Sequence, residues 1–329
     1  METEDQSELC FPQLGNISCK KPRSHWSGDI LLTVLLSVIC VFTVFLNLLV
    51  IISISHFRQL HTPTQLLLLS LAVSDFLVGL LVMPGEIYLR TSCWALGDVL
   101  CSLWNYVIFM VTFASVGHMV LISADRYAAI CDPLHYNTRV TVGRVRFCVC
   151  LCWFFSFPYC GILLKEQLTH PAVYKSCHGE CVIGFEYVSG VVDVVVSFVL
   201  PLGAIVILYM RVFTVAVSQA RAMRSHVTSI KPRRSVTARA KKSELKAART
   251  LGVVILVFIL CYCPYYTFTL ADDNKIISLL AHYVVYLFDF NSCLNPLIYT
   301  LFYPWFRKAV RCVVTLRILK SGSRGDNIL

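Results

Sequence analysis

Charged side chains are scarce in this chain. Only 15% of its 329 residues are Asp, Glu, Lys or Arg, whereas 57% are hydrophobic and the mean hydropathy is +0.69. An ordinary soluble domain carries about 25% charged residues, so the composition excludes that class. We therefore predict a membrane protein that crosses the bilayer several times.

Short motifs of enzyme active sites are also missing. The sequence has no Walker motif, HExxH, paired CxxC, GxSxG or glycine-rich phosphate loop. Each of these motifs places the groups of one particular chemistry at fixed spacing. We therefore expect neither enzymatic activity nor a cofactor.

Seven long apolar runs are present instead. A membrane-spanning helix needs about 20 apolar residues, so each run is long enough to cross. The predicted fold is all-α, a seven-transmembrane helix bundle followed by a short amphipathic helix at the membrane interface. The runs lie near residues 29–55, 65–89, 99–131, 145–164, 186–217, 247–270 and 277–302.

The net charge of +10 is concentrated between the predicted spans. Basic residues crowd positions 139–146, 221–249 and 307–324, and the positive-inside rule puts these segments in the cytoplasm and the N-terminus outside. A basic loop at that place binds lipid headgroups and a partner protein, so nucleic acid is not expected. The predicted regions are an outer tail (1–28), a transmembrane domain (29–303) with cytoplasmic loop three near 218–246, and an interfacial helix with tail (304–329).

The outer tail carries two further signals. Its first residues, METEDQSE, lack the apolar core of a signal peptide, so the first span is expected to act as the anchor. Asn16-Ile17-Ser18 is a glycosylation sequon, which predicts a glycan on Asn16.

The last span is unusually polar. Asp289, Asn291, Ser292 and Asn295 lie within an apolar run that Pro296 interrupts. An ionisable group at membrane depth costs a few kcal/mol or more, so Asp289 should face the bundle interior. Pro296 removes one helical hydrogen bond and predicts a kink there. The following segment, 304–316, alternates aromatic and basic residues as an interfacial helix does, and its Cys312 is a candidate palmitoylation site.

Two motifs carry a family resemblance. The last span and its continuation read Asn291-Ser292-x-x-Asn295-Pro296-x-x-Tyr299-x-x-x-Tyr303-x-Trp305-Phe306, and the third span ends in Asp125-Arg126-Tyr127. Together they resemble the rhodopsin-like G-protein-coupled receptors, and the long motif resembles the trace amine-associated receptors. The resemblance implies a plasma-membrane receptor for small amines. It also implies coupling to a stimulatory G protein (Gs/Golf) that raises cyclic AMP, in the cilia of olfactory neurons.

The resemblance also implies the outer disulfides. Cys101 and Cys181 stand at the positions that pin the second outer loop in rhodopsin-like receptors. Among amine-sensing relatives, the position of Cys177 pairs with that of Cys19. Cys10 is a competing partner for Cys177 that the sequence leaves open.

The most informative departure from the family is Ile108. Monoamine receptors carry an aspartate at this position, seven residues after Cys101, as the counter-ion of the ligand's ammonium group. Its absence resembles divergent fish-type members of the subfamily. The chain must therefore bind something else or carry the negative charge elsewhere.

Three carboxylates are candidates for that charge. Asp193 stands alone in a valine-rich run, Asp289 takes the place of a tyrosine usual in relatives, and Glu86 lies near the outer end of the second span. The alternatives are that Asp193 pairs with a neighbouring Lys or Tyr, that Asp289 is a protonated structural residue, and that Glu86 is a solvated helix end. Aromatic rings would add cation-π attraction. The rest of the predicted binding set is Trp104, Phe109, Thr112, Tyr262, Tyr265, Tyr266, Tyr286 and Phe288.

The resemblance implies two further sets of residues. One is a mid-bundle sodium site, for which the alternative is a protonated Asp75 in a hydrogen-bond network. The other couples ligand binding to the G protein, although Tyr262 replaces the usual tryptophan there. The sodium set is Asp75, Ser115, Asn291 and Asn295, and the coupling set is Asp125, Arg126, Tyr127, Tyr209, Phe258, Tyr262, Pro264, Asn295, Pro296 and Tyr299.

The function that follows is a receptor for extracellular amines. With two acids in the pocket, diamines or polyamines are the expected ligands, because a carboxylate left unpaired costs free energy. The alternative is a rhodopsin-like receptor for a monoamine or a non-amine ligand, with one or both aspartates structural. A transporter or channel is disfavoured because no internal repeat is visible.

Overall fold

The computed structural model of the chain describes residues 8–22, 27–184, 186–227, 252–253, 256–267, 275–302, 304–320 and 323–325. These residues are mostly helical, with two isolated β-bridges near the N-terminus. Part of the third cytoplasmic loop and both ends of the sixth span lie outside the described residues.

Five of the described helices are long and apolar enough to cross a membrane. They form the first to fifth spans, and the helices Leu256–Thr267 and Lys275–Phe302 lie in the predicted sixth and seventh. Short helices connect or follow them: Pro133–Arg139, Lys165–Thr169 and Pro304–Val314. The five long spans are Gly28–His56, Pro63–Thr91, Asp98–Cys131, Val142–Leu163 and Tyr187–Val215.

The bundle is apolar on its outer surface and encloses buried polar groups within an apolar core. Leu31 and Ile162 are 70% and 76% exposed, as expected for side chains that face lipid. Asn47 is fully buried, and its side-chain nitrogen donates to the carbonyl oxygens of Thr43 and Ser292 at 2.9 and 3.0 Å. Because lipid is as apolar as leucine, such polar contacts and close packing hold the helices together.

Small residues allow the helices to approach one another. A Cβ on Gly79 would lie 3.0 Å from Thr43 of the first span, and one on Gly117 would lie 2.4 Å from the sulfur of Cys152. A Cβ on Gly85 would lie 2.5 Å from the indole ring of Trp104. These glycines set the spacing between the first four spans.

Two short π-helical stretches change the direction of the spans. Val78–Val82 precedes Pro84 in the second span, and Val194–Val199 precedes Pro201 in the fifth. A π-turn holds one residue more than an α-turn, so it rotates the helix on its outer side relative to the inner side. Glu86 and Asp193 lie just outside these stretches, which therefore set where both carboxylates point.

The helix Pro304–Val314 packs beneath the first span. Its residues Trp305, Phe306 and Ala309 are buried, while Arg311 is exposed. The half-buried Cys312 packs against the main apolar core. This amphipathic division fits an interfacial helix, and palmitoylation of Cys312 stays a prediction.

The helix of the fifth span continues past the predicted start of loop three. Loop three was expected to begin near residue 218, but the helix Leu200–Val227 continues about three turns further. The segment contains Ala, Gln, Arg and Met, which favour helix, and has no glycine or proline. The remainder of the predicted loop, 228–246, lies outside the described residues.

The packing around Trp104 gives a testable prediction. We expect Gly85→Ala to destabilise the bundle by about 1 to 3 kcal/mol, because the bulky indole ring cannot yield easily to an added methyl group. The thermal midpoint of the purified protein in detergent should fall by several degrees. Gly190→Ala is the control, since nothing lies within 4 Å of its added Cβ; equal midpoints for both variants would contradict the packing.

Candidate ligand-binding site

Three disulfides join the segments that cover one end of the bundle. Cys101 pairs with Cys181 and Cys19 pairs with Cys177, the two bonds that the resemblance implies. Cys10 does not compete for Cys177 but pairs with Cys93 in the first loop. We call residues 8–22, 92–97 and 175–183 the cap. The N-terminal segment is thereby tied to two different loops.

Backbone hydrogen bonds make the cap continuous. Cys19 N donates to the carbonyl oxygen of His178, His178 N donates to that of Ile17, and Trp94 N donates to that of Gly179, each at 2.8 Å. Gly179 has φ +113°, and a Cβ there would lie 2.8 Å from Cβ of Cys10. Only glycine fits this position.

A cavity of about 60 Å³ lies below the cap, lined by residues of the second to seventh spans. All three predicted carboxylates line it, and none of its described lining residues is basic. Eight residues of the predicted binding set are among the lining: Glu86, Phe109, Thr112, Asp193, Tyr265, Tyr266, Phe288 and Asp289.

Asp193 is anchored by two hydroxyl groups. Ser197 Oγ donates to Asp193 Oδ1 at 2.7 Å, and Tyr159 Oη donates to the same oxygen at 3.2 Å. The ring of Tyr159 stacks on Phe113 with centroids 4.4 Å apart. The alternative of a tyrosine partner for Asp193 therefore describes one of its contacts. Because both hydroxyl groups donate to Oδ1, they fix the orientation of the Asp193 carboxylate in the cavity.

Asp289 has a different environment. Asp289 is 5% exposed, and its Oδ2 has no hydrogen-bond partner in the described part of the chain. Glu86 lies within electrostatic range of it, and among the described residues neither carboxylate has an ion-pair partner. Two neighbouring buried acids are costly unless a proton or a cation joins them. Glu86 lines the cavity and is not a solvated helix end.

An aromatic cluster forms the inner wall. Tyr265 contacts Phe288 at 4.9 Å between centroids, and Tyr266 stacks on Phe198 at 4.5 Å. The carboxylates of Asp193, Glu86 and Asp289 all lie within electrostatic range of Tyr265. This ring therefore shares the cavity lining with all three acidic groups.

Three aromatic residues predicted for the site lie outside the cavity lining. The buried Tyr262 stacks between Phe258 and Phe288, at 4.3 and 4.2 Å, and its hydroxyl lies beside Ser115. Tyr286 turns its ring towards the guanidinium of Arg90, 6.0 Å away. Trp104 lies nearer the cap. Aromatic neighbours hold Tyr262 in place, and Arg90 holds the ring of Tyr286.

Sequence reasoning missed several lining residues. Tyr159 could not be distinguished from the other aromatic residues of its span, which mostly face lipid. Ser197 did carry a signal, because it follows Asp193 by four residues and thus lies on the same helix face. Ile108, at the position of the family's aspartate, lies in the lining as well.

A second polar cluster lies deeper in the bundle. Asp75 is fully buried and accepts hydrogen bonds from Ser292 at 2.9 Å, Ser115 at 3.4 Å and Asn295 at 2.8 Å. Asn291, predicted for this cluster, does not take part, because the neighbouring Ser292 donates to Asp75 instead. Both polar side-chain atoms of Asn291 are without partners among the described residues.

The oxygen atoms at this cluster are suitable ligands for a hard cation. They belong to the carboxylate of Asp75 and the hydroxyl groups of Ser115 and Ser292, and the buried Oδ1 of Asn295 has no described hydrogen-bond partner. Oxygen ligands of this kind suit an alkali or alkaline-earth ion.

The opposite end of the bundle holds the Asp125-Arg126-Tyr127 motif. Arg126 Nε donates to Asp125 Oδ2 at 3.0 Å, and Thr64 and Tyr136 donate to the same carboxylate at 2.9 and 2.8 Å. Burial raises the pKa of the Tyr136 hydroxyl above its usual value, so the group stays protonated and donates. The carboxylate of Asp125 thus holds Arg126 at the end of the third span.

The remaining predicted residues are placed as follows. Tyr209 lies against Gly252 of the sixth span, since a Cβ there would be 2.3 Å from its hydroxyl oxygen. Phe258 and Pro296 are buried, Pro264 is half-buried and Tyr127 is 36% exposed. Tyr299 lies in the seventh-span helix, but its side chain and Tyr303 are outside the description. Asn16 is exposed in the cap, and its glycosylation stays a prediction.

Comparison with known proteins agrees with this architecture. The family described as 7 transmembrane receptor (rhodopsin family) matches residues 46–299. Trace amine-associated receptor 13c of Danio rerio is 37% identical, over 98% of this chain and 97% of the relative. Trace amine-associated receptors 1 and 9 of Mus musculus are each 36% identical, over 96% and 99% of this chain and 97% and 96% of their own lengths.

The chain belongs to the trace amine-associated receptor family. It is therefore a seven-transmembrane receptor of the rhodopsin class and not an enzyme. Membership places this receptor in the plasma membrane and gives it a heterotrimeric G protein as its partner.

The Cys10–Cys93 disulfide gives a testable prediction. In Cys10→Ser, we expect a free thiol at Cys93 while Cys177 stays bonded; in Cys19→Ser, the free thiol should be at Cys177. Maleimide labelling followed by peptide mass mapping distinguishes the two. Labelling of Cys177 in Cys10→Ser would show that the N-terminal cysteines pair the other way.

Proposed function

We propose that this receptor binds extracellular amines, with a preference for diamines or polyamines. The observation that carries the proposal is the shared cavity of Asp193, Asp289 and Glu86, whose described lining has no basic residue. Buried carboxylates need a counter-charge, and each costs several kcal/mol if left unpaired. A ligand with two ammonium groups supplies two such charges at once.

The two ends of the cavity have different roles. Asp193 is positioned by Tyr159 and Ser197 and takes the first ammonium group. Asp289, with Glu86 nearby, takes the second. The rings of Tyr265 and Phe288 add cation-π attraction of about 0.5 to 2 kcal/mol each. A monoamine would leave one acid unpaired and would bind more weakly.

The remaining parts of the proposal follow the family. The cap and N-terminus face the cell exterior, since disulfides form in oxidising compartments and the described basic segments 139–146 and 307–320 lie at the other end. Ligand binding releases Arg126 towards a stimulatory G protein (Gs/Golf) and raises cyclic AMP, in olfactory cilia. A sodium ion at Asp75 acts as an allosteric partner, held by the oxygens of Ser115, Ser292 and Asn295.

The first test is a cyclic AMP response in transfected cells to monoamines, diamines and polyamines. We expect Asp193→Ala to weaken the best ligand by at least about 30-fold, because removing one member of a buried charge pair costs about 2 to 5 kcal/mol. Asp289→Asn should weaken diamines while leaving monoamines little changed.

Surface expression of every variant is measured alongside. A response to diamines that survives both substitutions would make the two aspartates structural. Potent monoamines that depend on Asp193 alone would make Asp289 structural. If no amine acts on the parent chain, the amine proposal itself fails.

The tyrosine that holds Asp193 gives a separate prediction. Tyr159→Phe removes one of two hydrogen bonds to the carboxylate and should raise the half-maximal amine concentration about fivefold, the factor for ~1 kcal/mol. Tyr187→Phe is the control, since Tyr187 is 87% exposed. The double variant Tyr159→Phe, Ser197→Ala should approach the loss seen in Asp193→Ala. Unchanged potency in that double variant would exclude the positioning role.

A further inference from the structure

The chain folds back on itself after the interfacial helix. That helix, Pro304–Val314, is followed by Leu316, whose φ of +56° turns the backbone. Two short helices come next, Arg317–Leu319 and Ser323–Gly325. The second of them lies against the turn Arg58–Leu60, which joins the first two spans. We call the two short helices the tail segment and the turn the first loop.

A serine hydroxyl joins the tail segment to the first span. Ser323 is 5% exposed, and its Oγ donates to the carbonyl oxygen of Ile318 at 2.8 Å. The same Oγ lies 3.0 Å from Nε2 of His56. A hydroxyl group has one proton to donate. Because Ile318 accepts that proton, Nε2 of His56 must carry a proton of its own and donate it to Ser323. Both hydrogen-bonding roles of the hydroxyl group are therefore used.

The turn at Leu316 opposes this docked arrangement. Left-handed backbone is unfavourable for a side chain as large as leucine, and glycine is the usual residue where a helix ends in this way. Leu316 is the one non-glycine residue with positive φ in the described part of the chain. Beyond it, Leu319 is 78% exposed and Arg324 is exposed. The docking therefore depends on a small buried area around Ser323, and the tail segment can leave without disturbing the bundle.

The surroundings of Ser323 are basic. Lys320 precedes it by three residues, Arg324 follows it directly, and both side chains are exposed. No acidic residue is present between positions 304 and 325. A protein kinase with an acidic substrate groove would recognise a serine in such a segment by charge complementarity. Since Ser323 is buried in the docked arrangement, the kinase would act on the released tail segment and shift the population towards it.

We propose that Ser323 is a phosphorylation site and that its phosphate keeps the tail segment released from the first loop. Ser323 Oγ forms a bond to the γ-phosphorus of ATP, and the bond from that phosphorus to the bridging oxygen of the β-phosphate breaks. The hydroxyl proton passes to a base of the kinase, and ADP leaves. This inference goes beyond the proposed function and takes from it only the cytoplasmic placement of this end of the chain.

The phosphate opposes docking for two reasons. The modified Oγ has no proton, so the carbonyl oxygen of Ile318 loses its donor. The phosphate also brings a charge of about −1.5 to −2, which would have to be dehydrated where Ser323 is buried. Of the groups hydrogen-bonded to Oγ, only His56 can donate. The exposed Lys320 and Arg324 meet the phosphate in water, and release uncovers the first loop.

The first test phosphorylates the purified full-length receptor in lipid nanodiscs with protein kinase C and Mg-ATP. Peptide mass mapping should find phosphate on Ser323, and it should be lost in Ser323→Ala but kept in Ser321→Ala. His56→Ala removes a donor of the docked arrangement and should raise the initial rate about fivefold, the factor for one hydrogen bond. The exposed neighbour gives the control, Ser55→Ala, which should leave the rate unchanged.

Phosphate confined to Ser321, or absent from both serines, would overturn the site. An unchanged rate in His56→Ala, with its thermal midpoint preserved, would show that docking does not protect Ser323 and would overturn the release mechanism.

Hydrogen–deuterium exchange then measures the release itself. The backbone amides of Leu319, Lys320 and Ser323 donate to carbonyl oxygens within the segment, so phosphorylation should speed their exchange by at least about threefold. Equal exchange before and after phosphorylation would mean that the modified tail segment stays docked, against the proposal. Neither measurement uses an amine or a G protein, so failure of the proposed function would leave both results unaffected.

Discussion

A carboxylate inside a membrane must have a partner, and this requirement organises the receptor's interior. Asp75 is satisfied by three donors of the protein itself. Asp193 has two donors on a single oxygen, and Asp289 keeps a buried oxygen without a described partner. Since a buried acid without enough donors is costly, the fall in the number of protein donors from Asp75 to Asp193 and Asp289 makes a counter-charge most favourable in the ligand cavity. On this view, the selectivity for cationic ligands comes from buried carboxylates that the protein's own hydrogen-bond donors leave partly unpaired.

These acids are positioned by backbone segments that depart from regular α-helix. The π-helical stretches in the second and fifth spans lie just inside Glu86 and Asp193 and turn both residues relative to the rest of their helices. Gly85 lets Trp104 pack directly on the second span beside Glu86. Local irregularity and close packing therefore act together, and both are concentrated in the outer half of the bundle.

Much of this arrangement could be predicted from the sequence, because an acid in an apolar run is rare and has few structural explanations. Asp193 and Asp289 were identifiable as candidates on that ground, and the spans from length and hydropathy, whereas Glu86 near the outer end of its span could equally have been a solvated helix end. The exchange of Ser292 for Asn291 beside Asp75 was not predictable, since adjacent residues differ by about 100° of helix rotation. The role of Tyr159 depends on which way its helix faces, and the Cys10–Cys93 bond depends on the path of a loop. Neither the direction in which a helix faces nor the path of a loop can be read from composition.

The third disulfide has a kinetic consequence. With the N-terminal segment bonded both to the first loop and to the second, the cap is a covalent frame of fixed width. The frame restricts backbone movement of the loops it joins, which leaves side-chain rotations within it as a route for ligand entry and escape. Such rotations occur on the picosecond to nanosecond timescale in exposed residues. On the proposed function, the lifetime of the complex then depends on the breaking of its ion pairs, so that a ligand's residence time reports on the charges it meets.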